Sequence, residues 1–171
     1  SLALKAFDIG VGDEVIVPTN SFIATALSVS NIGAEPIFVD GLASSGQMNI
    51  EAVIDNISPN TRAIIPVHLY GMPADMDKLL TVAREYDLIV IEDAAQAHGA
   101  RYKGARVGSI GHAAAFSFYP SKNLFLNPEV SRSRSTLFVS HHAQFQVRGQ
   151  PQIRGRQSQT SLSAANNFRG F

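Results

Sequence analysis

The residues of this chain best suited to chemistry fall in two short segments. Ser117 and Lys122 lie five residues apart in Phe116-Ser117-Phe118-Tyr119-Pro120-Ser121-Lys122-Asn123-Leu124, and Asp93 lies in Ile91-Glu92-Asp93-Ala94-Ala95-Gln96. A lysine amine can form a Schiff base with a carbonyl. An ionised acid can keep a pyridine nitrogen protonated, and a hydroxyl can donate to a phosphate. Pyridoxal phosphate is the cofactor that needs all three.

Each residue also has a plainer reading. A lysine in a Ser- and Asn-containing loop is commonly a solvated surface group. Lys is scarce here, however, and Lys122 follows the apolar run Ala113-Ala114-Ala115-Phe116-Ser117-Phe118, beyond the carboxyl end of a predicted strand, where α/β folds place their sites. Asp93 ends another such run, Leu88 to Glu92. Glu92-Asp93 before Ala-Ala would alternatively form a helix N-cap with first-turn charge. Gln96, one turn further on, could reach a ring oxygen or be a solvated helix residue. Phe22, in Pro18-Thr19-Asn20-Ser21-Phe22-Ile23-Ala24-Thr25, follows a strand and begins a helix. Its ring could stack on a cofactor, or it could be core.

Strands and helices must alternate to position these groups. Glu14–Pro18, Pro36–Asp40, Ala63–Val67 and Leu88–Ile91 are short β-branched runs with little polar alternation, which predicts strands covered on both faces. Ser21–Asn31 and Asp75–Tyr86 read as helices. Asp75 is placed as N-cap of the second, with Leu79, Val82, Ala83 and Tyr86 along one face, and Gly33-Ala34 closes the first. The predicted class is α/β, a mostly parallel sheet layered by helices.

Composition narrows the classes further. With 171 residues and 45% hydrophobic content the chain can bury a core, and without Cys it has no disulfide or thiolate metal site. His68, His98 and His112 lack metal-ligand spacing, and His141-His142 gives no zinc pattern, so no metal is expected. Gly10-Val11-Gly12 precedes a strand, so it is a turn and not a dinucleotide fingerprint. No Gly-x-Ser-x-Gly elbow supports a hydrolase. No run is long and apolar enough for a membrane, and no signal-peptide layout opens the sequence; a cytoplasmic protein is expected. All fourteen acids lie at or before Glu129, together with eight Lys and Arg, so residues 1–129 carry −6; the remainder carries six Arg and no acid. Two pieces are therefore predicted: 1–127, and an irregular basic tail over 128–171 that cannot bury enough apolar area to order itself. The tail has few aromatics and no nucleic-acid fold signature, so nucleic acid is not the expected partner.

The chain closely resembles the sugar aminotransferases of the DegT/DnrJ/EryC1/StrS family, fold type I pyridoxal phosphate enzymes. Six blocks carry the resemblance in order: Gly12-Asp13-Glu14-Val15-Ile16-Val17-Pro18, Phe22-Ile23-Ala24-Thr25-Ala26, Gly33-Ala34-Glu35-Pro36-Ile37-Phe38-Val39-Asp40, Pro66-Val67-His68-Leu69-Tyr70-Gly71, Asp93-Ala94-Ala95-Gln96 and Ser117 to Leu124. The resemblance implies that residues 1–127 are part of the large cofactor-binding domain. It assigns Lys122 to the cofactor's aldehyde and to proton shuttling, Asp93 to the pyridinium nitrogen and Gln96 to the ring hydroxyl. Ser117 is assigned to the phosphate, and Phe22 to stacking on the ring. It further implies amine transfer from glutamate or glutamine to a nucleotide-linked keto-deoxy sugar, by an enzyme whose sites form at a homodimer interface. Tyr70-Gly71-Met72-Pro73-Ala74-Asp75-Met76 and Phe118-Tyr119-Pro120 look most like members acting on 3-keto-6-deoxy sugars, a lean against 4-keto substrates. Family dehydratases carry histidine where this chain has Lys122.

Departures accompany the resemblance. Family members are more than twice as long, and a phosphate-holding Gly-Thr turn usually precedes the segment matching Ser1-Leu2-Ala3-Leu4. After Leu124 a Gly-Asp-Gly-Gly loop and a small C-terminal domain are expected, where this sequence has Phe125-Leu126-Asn127-Pro128. That change, with the loss of acids, fits a reading-frame change or a chimeric gene. The chain could accordingly be inactive, a non-catalytic fragment or binding module that keeps the α/β layer.

Overall fold

The computed structural model describes residues 1–119 and 122; the predicted tail over 128–171 lies outside them. Its main sheet is built from the β-branched runs. β1 (Glu14–Pro18) pairs in parallel with β2 (Glu35–Val39) on one side and with β3 (Thr61–Ile64) on the other. β3 pairs with β4 (Ile89–Asp93), and β4 with β7 (Ala113–Ala115), giving the order β2-β1-β3-β4-β7 with every pair parallel. Val15, Ile16 and Val17 are fully buried, as continuous apolar character on a central parallel strand requires.

Helices cover both faces. α1 (Leu2–Ala6) and α2 (Ala24–Ser30) lie on one, where Leu4, Phe7, Ala26 and Val29 join Val15, Val17, Ala63, Ile65, Ile89 and Ile91. α3 (Ile50–Asp55) and α4 (Met76–Glu85) lie on the other, where Val53, Met76, Leu79 and Val82 join Ile16, Ile64 and Val90. Odd residues of β4 thus face α2 and even residues face α4, the two-residue alternation of a strand. This is the predicted α/β layering.

Several predicted boundaries move for local reasons. The ladder of β3 stops at Ile64, short of the predicted Val67. Pro66 has no N–H to continue it, although its carbonyl accepts from Asp93 N at 2.9 Å and Val67 forms an isolated bridge to Asp93. β7 pairs only through Ala115 and not to Phe118, because its partner β4 ends at Asp93, the residue in register with Ala115. α2 begins at Ala24, since Ser21 to Ile23 form its lead-in turn. Gly33, expected to close it, sits two residues past the C-cap Asn31 at φ +80 and donates to Ser30 O. In α4, Leu79, Val82 and Ala83 are buried as predicted, but Tyr86 follows the helix and is 41% exposed.

Among the described residues, α1, α3, a 3-10 turn at Leu69–Gly71 and a hairpin of β5 (Arg101–Tyr102) with β6 (Ala105–Arg106) have no counterpart in the predicted pattern. The hairpin turns through Lys103 at φ 48 and Gly104 at φ 87, the two positive φ values that match a tight turn to strand twist. It docks on α4: Tyr102 OH donates to Asp75 Oδ1 at 3.0 Å, and Lys103 pairs with Asp77.

Candidate cofactor site

In a parallel sheet every strand delivers its carboxyl end to the same edge, and here the chain order reverses between β1 and β3, the usual position of a ligand crevice. Four of the five predicted site residues come from segments that leave this edge, β4 and β7 side by side and β1 one strand removed from β4. Phe22 follows β1, Asp93 ends β4, and Ser117 and Lys122 follow β7.

Asp93 is the best-defined of them. It faces the α2 side of the sheet, half-buried, with Oδ2 accepting from Thr25 Oγ1 at 2.8 Å and Oδ1 from Ala95 N at 3.1 Å. Two donors fix the carboxylate's plane, yet a carboxylate has about four lone-pair sites, so acceptor capacity remains for a further N–H. The alternative N-cap role does not hold, because the chain after Asp93 turns without forming a helix.

Gln96 consequently is not on a helix face. Its Oε1 accepts from Tyr70 N at 2.8 Å, which fixes the other end of the amide as the donor. Phe22 is 70% exposed, so the core reading of this residue is overturned and a bare aromatic face stands at the start of α2. Ser117 Oγ accepts from Tyr119 N at 3.4 Å, leaving the hydroxyl proton to donate elsewhere. Lys122 is half-buried, with its backbone N–H on Tyr119 O at 2.8 Å.

The segment carrying Ser117 is steered by three rings. His98 lies 5.5 Å from the Phe116 ring and 5.2 Å from that of Phe118. Since alternate residues of extended chain point the same way, Phe116 and Phe118 both turn to His98 and set Ser117 to the opposite side, that of α2 and Asp93. Gly108 leaves the space that Phe116 occupies: at φ +87, a Cβ there would come 2.4 Å from the Phe116 ring.

Beneath the edge lies a buried polar cluster that sequence reasoning missed. Glu92 and His68 are both fully buried, 3.0 Å apart, on the α4 side. His68 Nδ1 accepts from Ala74 N, so Nε2 is the nitrogen that carries the proton and donates to Glu92. The Glu92 carboxylate also accepts from the backbone N–H groups of Gly108 (2.7 Å), Ile110 (2.8 Å) and Gly111 (2.6 Å). Burial alone would raise this carboxyl, but the bonds from His68, Gly108, Gly111 and Ile110 outweigh it and hold the group below the ordinary carboxylate range. The cluster joins the loop that holds Gln96, the strand that holds Asp93 and the loop that leads to Ser117. The signal available in the sequence was a charged residue ending an apolar strand, matched by a histidine after Pro66-Val67 and paired glycines at 108 and 111. Thr25 was also missed; inside an apolar helix it reads as filler.

These residues fit pyridoxal phosphate. Asp93 has oriented acceptor capacity, Phe22 a bare ring, and Ser117 a hydroxyl proton to give. Among the described residues, no three of His, Asp and Glu gather to hold a metal. A cavity of about 500 Å³ opens elsewhere, between residues 42–50, the start of α4 and the hairpin, and none of the five site residues lines it.

The model of the DegT/DnrJ/EryC1/StrS aminotransferase family matches residues 1–128. The chain belongs to this family. The DegT/DnrJ/EryC1/StrS aminotransferases are pyridoxal phosphate-dependent. A relative from Acidithiobacillus ferrooxidans, the UDP-N-acetyl-3-dehydro-alpha-D-glucosamine 3-aminotransferase, is 55% identical over 123 residues, covering 72% of this chain and 33% of that protein. The dTDP-3-amino-3,4,6-trideoxy-alpha-D-glucose transaminase of Streptomyces venezuelae is 53% identical, covering 72% and 32%. Among solved structures, S. venezuelae DesV in complex with a ketimine intermediate superposes with a TM-score of 0.71 at 52% identity, over 74% of this chain and 34% of that one. The chain spans about a third of the length of the curated relatives it matches.

Proposed function

We propose that this chain is the central part of the large domain of a pyridoxal phosphate-dependent aminotransferase. Its acceptor would be a nucleotide-linked keto-deoxy sugar, with 3-keto favoured over 4-keto, and its donor glutamate or glutamine. The observation that carries the reading is the fixed carboxylate of Asp93 at the carboxyl end of β4, beside the strand that leads to Ser117 and Lys122. The relatives' names, two of which specify a 3-amino or 3-dehydro sugar, support the substrate class.

When bound, pyridoxal phosphate supplies an electron sink and a carbonyl that accepts amines. Asp93 would hold the pyridinium N–H, Gln96 the ring oxygen and Ser117 a phosphate oxygen, with Phe22 against the ring face. Lys122 would be the attachment point, and its Nζ the base that carries a proton to and from the substrate carbon.

Residues 1–127 form the cofactor-binding unit in this reading, and 128–171 a separate basic segment; the family match ends at residue 128. The parent is a cytoplasmic homodimer. Leu2 on α1, Phe22 and Ile23 just before α2 and Leu27 on α2 are each exposed, Ser1 Oγ bonds Ser28 O between the two helices, and exposed apolar residues of this kind suit a partner subunit. The chain's coverage of a third of its relatives supports a second reading, a non-catalytic fragment that keeps only the α/β layer.

Borohydride reduction with pyridoxal phosphate and peptide mass mapping, with Lys122→Ala as control, separates the two. A pyridoxyl group confined to Lys122 is the expected result. Label spread over Lys5, Lys78 and Lys103, or none, would leave only the fragment reading.

A further inference from the structure

Thr25 is a buried hydroxyl in the first turn of α2, 6% exposed, and a buried hydroxyl costs stability unless it is hydrogen-bonded. Its Oγ1 donates to Asp93 Oδ2 at 2.8 Å across 68 residues of sequence. Its backbone N–H donates to Phe22 O at 3.1 Å. One residue therefore joins the two groups assigned to opposite aspects of the cofactor ring, the acid at its nitrogen and the aromatic at its face. The second Asp93 oxygen is held from its own chain by Ala95 N, so without Thr25 the carboxylate could swing about its Cβ–Cγ bond.

We propose that Thr25 is a positioning residue. It fixes the plane of the Asp93 carboxylate, and the Phe22 turn relative to it, in the attitude the pyridine ring requires. The inference rests on the cofactor roles proposed above for Asp93 and Phe22. Valine has the same branched shape and no hydroxyl, whereas serine keeps the hydroxyl and loses a methyl, so the two substitutions separate hydrogen bonding from filling space.

The test has two arms, both on the full chain. In the first, without cofactor, urea unfolding of Thr25→Val, Asp93→Ala and the double variant gives a double-mutant cycle in which each single substitution removes the contact. A coupling of about fivefold in the unfolding equilibrium constant is expected for two groups in direct contact. No coupling overturns the proposal, whatever the cofactor does. In the second, pyridoxal phosphate affinity and the circular dichroism of the bound cofactor's absorption band are measured. Thr25→Val is expected to weaken binding about tenfold, a change of about 1.4 kcal/mol, and to alter the dichroic band. Thr25→Ser is expected to restore the band and bring affinity to within about twofold. Unaltered binding and dichroism in Thr25→Val, or equal losses in the valine and serine variants, overturn the proposal, because packing alone would then explain the residue. If the unsubstituted chain takes up no cofactor, the proposed function fails for this polypeptide, and the coupling alone decides whether Thr25 fixes Asp93.

Discussion

Replacing Glu92 by glutamine is the sharpest test of how the site is supported. The carboxylate accepts four hydrogen bonds at 2.6 to 3.0 Å, from His68 and from the backbone of Gly108, Ile110 and Gly111. Glutamine keeps one acceptor oxygen and puts an NH2 where the other stood. Whichever way the amide is turned, two of the four donors meet another donor. The His68 tautomer cannot adapt, because Nδ1 is already accepting from Ala74 N. Two lost bonds to a charged group, at about 1.5–3 kcal/mol each, put the destabilisation at roughly 3–6 kcal/mol, a large share of the about 5–15 kcal/mol that holds a domain together. Urea unfolding followed by far-ultraviolet circular dichroism measures it, and faster hydrogen exchange at the amides of Gly108, Ile110 and Gly111 localises it. The pH dependence follows from the same contacts. The carboxyl titrates lower in the folded chain than unfolded, so its contribution is complete above the unfolded value of about 4.3 and is lost as pH falls through the folded value. The glutamine variant should show a shallower loss of stability over that acid range. A destabilisation under about 1 kcal/mol with unchanged exchange would refute the reasoning, since it would mean that the four contacts add nothing beyond what water offers.

Two further substitutions probe the frame around this cluster. Gly108 and Gly104 share φ +87, but a Cβ at Gly108 meets the Phe116 ring at 2.4 Å while one at Gly104 meets nothing within 4 Å. Gly104→Ala should cost only the backbone strain of about 1–2 kcal/mol, and Gly108→Ala more in the same urea assay, with weaker cofactor capture as Phe116 shifts; equal losses would contradict the ring-steering account. Asp75→Ala removes the acceptor for Lys78 N and for the Tyr102 hydroxyl and should lower stability by about 1 kcal/mol, whereas an unchanged midpoint would mean that neither contact contributes.

The sequence was most legible where one residue's type constrained the backbone by itself. The runs of Val and Ile gave β1, β3 and β4 because strands inside the sheet are largely buried on both faces. β2 was found by the same residue types, but it lies at the sheet's edge with Phe38 50% exposed, so the expectation that it is covered on both faces fails. Asp75 before an apolar helical period marked the start of α4 for an equally local reason. The short elements left weaker traces: α1 has five residues, and the β5–β6 hairpin has two-residue strands held by a turn and by contacts to Asp75 and Asp77. The site divided along the same line. Asp93, Ser117, Lys122, Gln96 and Phe22 stood out by chemical type next to strand ends. Thr25, His68 and Glu92 matter through partners 68, 24 and 16 to 24 residues away, and no local window contains those pairings. Phe22 could not be distinguished from a core residue until its surroundings were in place.

The alternation along β4 has a consequence for anyone who would move this site to another scaffold. Adjacent acids end the strand, one turned toward Thr25 and the other toward His68 and the glycine loop. Deleting or inserting one residue upstream in β4 would exchange them. The glutamate would then face α2, and the shorter aspartate would face a cradle of N–H groups cut for a longer side chain. With an uncharged residue the net charge would be unchanged, and composition and hydropathy would shift by a single residue in the whole chain, so a screen based on those quantities would hardly register the error. A transplant that copies only the groups meant to touch the cofactor would lack what keeps them in phase. The portable unit is the Glu92-Asp93 pair with Thr25, His68 and residues 108–111, most of which serve only as its reading frame.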